Sequence, residues 1–157
     1  MSYEQRKGGR PQQGSSARSN NSYKEKEQVT AIEVIDIQLT NIKAELFDSV
    51  AKRTAETLGS NQKRDVNKST QIRRFYDELL MWDAKAAQNP EKFGEYLPFI
   101  RMLNAKVAYA EGRGHIDANF TLLMTHCLQQ VNDPKTLSVF KLFFEAMLGF
   151  YKLVGKD

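Results

Sequence analysis

Residues 134–154 read PKTLSVFKLFFEAMLGFYKLV, and this stretch decides the fold class. Phe140, Phe144, Met147, Tyr151 and Val154 recur three and four apart, the period of one helical face. Leu137, Phe143, Leu148, Phe150 and Leu153 extend the apolar surface beyond that face. Asp133-Pro134 supplies a cap residue followed by a proline for the first turn. Lys141, Glu145 and Lys152 interrupt the run, which marks a core or interface helix rather than a membrane span. Of those two, the central core helix is the expectation, because helices that are apolar all round are normally buried.

The same period continues upstream. Ile116, Phe120, Leu123, Cys127 and Val131 form one run. Asn89-Pro90 starts another, with Phe93, Leu97, Ile100, Leu103, Val107 and Ala110 as its face, ending at Gly112 and Gly114. Pro98 inside it predicts a kink or a restart, since proline cannot donate to the helical ladder. Ile72, Phe75, Tyr76, Leu79 and Trp82 make the face of a helix that Ser69 or Thr70 can cap. Residues 59–68 are polar and basic and read as a loop. In the first run, Ile32, Ile35, Leu39, Ile42 and Leu46 have helical spacing. Thr30 with Glu33 has capping-box spacing, Val29 with Val34 the spacing of a hydrophobic staple, and Gly59 closes the run. Val34, Ile35 and Ile37 lean toward a strand, but the length of the pattern favours helix. The expectation is therefore all-α, a compact bundle of about five helices over residues 28–157. The first 24 residues hold almost no large apolar side chains, so a disordered basic tail is expected over 1–27.

The formal net charge is +4, and it is unevenly distributed. Arg6, Lys7, Arg10, Arg18 and Lys24 face only Glu4 in the tail, so the remainder of the chain is neutral. Within that remainder, residues 25–51 carry six acidic and two basic side chains. Residues 52–74 carry seven basic against two acidic. A neutral body with one basic segment fits contact with a polyanion, and equally an ordinary solvated loop. The single cysteine, Cys127, excludes an internal disulfide and fits a reducing cytosol; no signal-peptide h-region is present.

Catalysis has little to work with. His115 and His126 are the only histidines, no second Cys accompanies Cys127, and no zinc-protease motif occurs, so a metal site lacks ligands. His126 and Cys127 are helical neighbours that do not face each other. No catalytic residue, metal or cofactor is expected.

Two basic groups remain. Lys68, Gln71, Arg73 and Arg74 lie at the start of a helix, where free N–H groups and the dipole favour an anion. The alternative is a capped helix in which Arg73 pairs with Asp77 and Arg74 with Glu78 at i,i+4. Lys106, Tyr109 and Arg113, spaced three then four, share one face, and Arg101 extends the stripe. Such a face can hold phosphates and stack a base. Equally, Tyr109 can lie at the core edge with charged side chains snorkelling around it.

Ser69-Thr70-Gln71-Ile72-Arg73-Arg74-Phe75-Tyr76 resembles the signature that opens a helix in the small subunit of the type III-A CRISPR effector, the Csm complex. Leu103 through Lys106-Val107-Ala108-Tyr109-Ala110 to Arg113 is similar to a second block of that family, in matching order and separation. The late Phe-rich helix looks like the family's last helix, and the resemblance spans roughly residues 30–155. Arg74 stands where Lys is usual, and the long basic tail departs from compact members. The resemblance implies a non-catalytic, cytoplasmic subunit stacked with copies of itself in an inner filament along CRISPR RNA and target RNA. Its neighbours would be the backbone subunits and the large subunit. It carries RNA contact over to Lys68, Gln71, Arg73, Arg74, Lys106, Tyr109 and Arg113. A helical protein scaffold without RNA contact is the competing expectation. A helix-turn-helix DNA reader is disfavoured by the long 59–68 loop.

Overall fold

The computed structural model describes residues 29–157 and the isolated Gly9, so the tail expected over 1–27 lies outside the described residues. A 3₁₀ turn at Ala44–Phe47 precedes α1 (Ser49–Gly59) and α2 (Ser69–Gln88). A second turn at Pro90–Lys92 leads into α3 (Phe93–Arg101), α4 (Leu103–Gly112), α5 (Ala118–Leu128) and α6 (Pro134–Val154). No strand occurs among the described residues.

Helix α6 occupies the centre, with α1 and α2 packed along it. Leu137, Phe140, Phe143, Phe144, Met147 and Tyr151 are all buried, as expected of a central core helix, whereas Leu148 and Phe150 are half-buried and Leu153 and Val154, at its end, are exposed. The Phe144 ring meets Tyr76 of α2 at 5.9 Å and Phe120 of α5 at 6.2 Å, so one side chain joins three helices. The start of α6 follows its sequence signal. Asp133 accepts from the Thr136 N–H at 2.7 Å, the Thr136 hydroxyl accepts from the Asp133 N–H, and Pro134 fills the first turn. Donation from the Thr136 N–H and, at 2.8 Å, from its hydroxyl holds the Asp133 carboxyl below the ordinary carboxylate range. At the other end, a Cβ on Gly59 would lie 2.8 Å from the Val154 carbonyl oxygen. The glycine there serves close helix approach rather than a turn.

The third run is broken, as Pro98 predicts, but the break falls one turn later. Pro98 lies within α3, its carbonyl accepts from the Met102 N–H at 3.1 Å, and α4 restarts at Leu103. Counting α3 and α4 as one broken run, the five helical runs of the sequence are all present, the first in shortened form.

That first run is the main correction. Residues 29–43 are not helical, so the Thr30–Glu33 capping box and the Val29–Val34 staple do not form. The segment packs on the bundle as a non-helical arm with a turn at its middle, where the Ile37 N–H donates to the Val34 carbonyl at 2.9 Å; it buries Ile32, Ile37 and Leu39 and leaves Ile35 76% exposed. Its main chain is bonded by side chains of α5 and the turn after it. Asn119 accepts from the Ile32 N–H at 3.0 Å and donates to the Thr30 carbonyl at 2.8 Å. Gln130 accepts from the Leu39 N–H and donates to the Ile37 carbonyl, both at 2.9 Å. These long-range partners replace the helical ladder that local spacing suggested.

A buried asparagine ties the remaining loops together. Asn67, wholly buried at φ 57°, uses all four of its polar groups. Its N–H donates to the His115 carbonyl at 3.0 Å and its side chain donates to the Leu58 carbonyl at 3.1 Å. Its side-chain oxygen accepts from the Asp117 N–H at 3.1 Å, and its carbonyl accepts from the Tyr151 hydroxyl. Asn tolerates the left-handed conformation better than most residues because its side chain bonds locally.

Candidate nucleic-acid interface

Helix α2 begins at Ser69 with Lys68 at its cap and no side-chain cap bond, so neither Ser69 nor Thr70 acts as the cap. The Ser69 N–H donates to the Lys156 carbonyl at 2.6 Å. One of the amides that could have held an anion is thus occupied by the chain's own end. Lys68 pairs with Asp65 at 3.2 Å. The Lys156 ammonium in turn donates to the carbonyls of Asn61 and Lys63, fastening the 60–68 loop.

Gln71 and Arg74, one turn apart on α2, face α4, where Lys106, Tyr109 and Arg113 descend at three and four. Together with Phe75, Glu78, Ala110 and His115 they line one open groove of about 280 Å³. Five of the eight residues expected to meet RNA therefore converge, from two blocks more than thirty positions apart. Phe75 is packed against Phe120 and forms part of the floor. Tyr109 is 67% exposed, which answers the core-edge alternative. Its hydroxyl accepts from Arg113 at 3.3 Å and the guanidinium lies 5.9 Å from the ring centre.

Glu78 is the one carboxylate in the groove lining. It pairs with Lys106 at 2.7 Å rather than with Arg74, contrary to the i,i+4 alternative. Among the described residues, Arg74 makes only a long bond to Gln71 at 3.5 Å. Among those residues, Arg74 and Arg113 thus have guanidinium donors left over for a ligand, in a groove that an exposed aromatic ring also lines. That arrangement suits phosphate oxygens together with a stacked base.

The other expected residues lie elsewhere. Arg73 does not line this groove; it pairs with Asp77 at 3.8 Å and covers the Tyr76 ring at 5.7 Å. It borders a separate hollow with Thr70 and Lys152. Arg101 does not extend the stripe: its guanidinium donates to the Val131 carbonyl at 3.0 Å and to Asn132 at 3.2 Å, closing the turn after α5.

His115 is the groove residue that spacing missed. It follows Gly114, which has φ 74°, and its N–H donates to the Ala110 carbonyl while the Gly114 N–H donates to Glu111. This is a Schellman end to α4, and it fixes His115 at the groove. Reading Gly114 as the residue after the cap would have located it.

Burial pushes the Cys127 thiol well up, in keeping with a structural rather than nucleophilic cysteine. Among the described residues no group of three metal-ligating side chains occurs, and no helix is long and apolar enough to cross a membrane. In comparisons with known proteins, the family model Csm2 Type III-A matches residues 42–157, which include both groove blocks. No curated protein and no solved structure matches.

Proposed function

Because the chain belongs to the Csm2 Type III-A family, we propose that it acts by binding RNA in the α2–α4 groove, as a non-catalytic subunit of the type III-A Csm complex. The observation that carries this reading is the convergence of Arg74, Lys106, Tyr109 and Arg113 around one open groove. In this reading the cations neutralise backbone phosphates of CRISPR RNA or target RNA, and Tyr109 offers its face to a base. Sequence specificity comes from guide pairing, while this subunit supplies backbone contact and spacing. Copies stack into the inner filament of a cytoplasmic assembly, beside the backbone subunits and the large subunit. Lys68, at the cap of α2, and Arg73, which lines a separate hollow, reach RNA only if a second strand or a neighbouring copy's RNA passes there.

A salt titration of RNA binding tests this. Affinity falls steeply with salt, and the slope flattens by about 0.7 for each single-strand phosphate contact removed. Arg74→Glu and Arg113→Glu weaken binding and flatten that slope while the helical circular-dichroism signal stays intact. Affinity independent of salt would end the proposal. The scaffold reading draws on Phe99 and Met102, both exposed, with Phe99 stacked on Trp82. It predicts that the groove reversals leave RNA retention unchanged and that Phe99→Glu disperses the assembly.

A further inference from the structure

We propose that residues 30–39 are an exchangeable arm, and that the cradle built for them by α5 and its following turn accepts the same segment from a second copy of the chain.

The cradle recognises main chain. Asn119 and Gln130 each grip one carbonyl and one N–H of the arm, and the His126 ring nitrogen lies 2.9 Å from the Ile37 carbonyl. Three side chains of the arm, Ile32, Ile37 and Leu39, are buried against the bundle. Main-chain bonds combined with side-chain pockets are a recurring way in which proteins bind peptide segments. Val34 packs half-buried against the core, and Arg53 of α1 pairs with the exposed Glu33 at 3.5 Å and Asp36 at 3.3 Å, contacts that hold weakly beside the main-chain bonds.

The link between arm and bundle has the character of a hinge. Thr40, Asn41, Ile42 and Lys43 are all exposed. They run beside an open hollow of about 410 Å³ between Asp36, Gln38 and the start of α1, so the hinge is not packed down. The family match begins at Ile42, within this hinge, so the arm lies outside the matched residues. If the hinge opens, every arm–cradle contact is reproduced between two copies with nothing lost but the hinge geometry. Exchange of an identical element is a low-cost route to association.

Two full-length variants test it by complementation. Ile37→Asp spoils the arm and keeps the cradle; the double variant Asn119→Ala, Gln130→Ala spoils the cradle and keeps the arm. The expected results in native mass spectrometry are association of the unaltered chain, monomers for each variant alone, and a one-to-one complex when the variants are mixed. An unaltered chain that stays monomeric at every concentration, with variants that do not combine, overturns the proposal. If Ile37→Asp unfolds, a chain with its hinge shortened by two residues replaces it. That chain dimerises if the arm exchanges, whereas a folded monomer with unprotected arm amides counts against exchange. No RNA enters either experiment, so failure here leaves the groove reading standing.

Discussion

The Asn67 hub and the α2–α4 groove share a residue and differ in almost everything else. The His115 carbonyl receives the Asn67 N–H, while the His115 side chain lines the groove. On the hub side every polar group of Asn67 has a partner and none is exposed. On the groove side two guanidinium groups and a tyrosine ring face solvent with most of their bonding capacity unused. The difference separates stability from binding. Satisfied buried polar groups fix the chain, and removing one leaves its partners desolvated and unpaired. Exposed cations add little to stability and remain available to a ligand.

The largest effect is expected where the hub is broken. Asn67→Ala strands the Leu58 carbonyl and the Asp117 N–H and removes the side chain whose local bonding lets residue 67 sit at φ 57°, which costs about 3 kcal/mol or more. Chemical denaturation measures the loss. A change below about 1 kcal/mol would mean that water replaces the lost bonds and that the hub is not the structural side of the comparison. Next comes Tyr151→Phe, which removes only the hydroxyl donor to the Asn67 carbonyl, a loss of about 2 kcal/mol. Burial and the nearby Asp117 charge push this phenol from its ordinary 10.0 up to about 12. Unfolding therefore lowers its pKa. Its contribution is complete below pH 10 and fades as pH rises toward 12, and Tyr151→Phe should flatten that alkaline decline.

The groove should respond in the opposite sense. Arg113→Glu changes stability by no more than about 0.5 kcal/mol, because the side chain is exposed and bonded only to Tyr109. RNA affinity falls roughly tenfold at moderate salt, equivalent to about 1.4 kcal/mol. Tyr109→Ala separates stacking from charge. It weakens binding by about 1–3 kcal/mol if a base lies on the ring, with no change in salt slope. Fluorescence anisotropy across a salt series distinguishes the two variants, and identical slopes and losses would show that ring and cation act as one unit.

The helical runs were legible because their caps and apolar spacing agree with their packing. Asp133-Pro134 and the Phe140–Phe144–Met147–Tyr151 face correspond directly to the start and core face of α6. The arm was misread for a physical reason. Ile32, Ile35, Leu39 and Ile42 satisfy helical spacing, but the buried set is Ile32, Ile37 and Leu39. What selects that set is Asn119, His126 and Gln130, some ninety positions away and outside any local window. The groove residues were legible by type and not by side. Arg73 and Arg74 are adjacent in sequence, and one step along a helix turns the side chain by about 100°. Only the position of α4 decides that Arg74 faces the groove and Arg73 does not.

The smallest expected effect is also the one that tests the join between hub and groove. Gly112 and Gly114 are two residues apart, and a Cβ at either would meet nothing within 4 Å. Sterics toward the rest of the protein are therefore equal, and only the backbone differs. Gly112 ends α4, where Ala is the better helix former, so Gly112→Ala stabilises by about 0.5–1 kcal/mol. Gly114 has φ 74°, where a Cβ meets its own backbone, so Gly114→Ala destabilises by about 1 kcal/mol. Thermal melts should shift in opposite directions by a few degrees. The Gly114 strain bears on the Schellman turn that holds His115 between hub and groove. Gly114→Ala should therefore lower RNA affinity as well as stability, while Gly112→Ala leaves affinity unchanged. If Gly114→Ala lost stability alone, the hub would be holding His115 without help from the turn, and the two regions would be mechanically independent despite their shared residue.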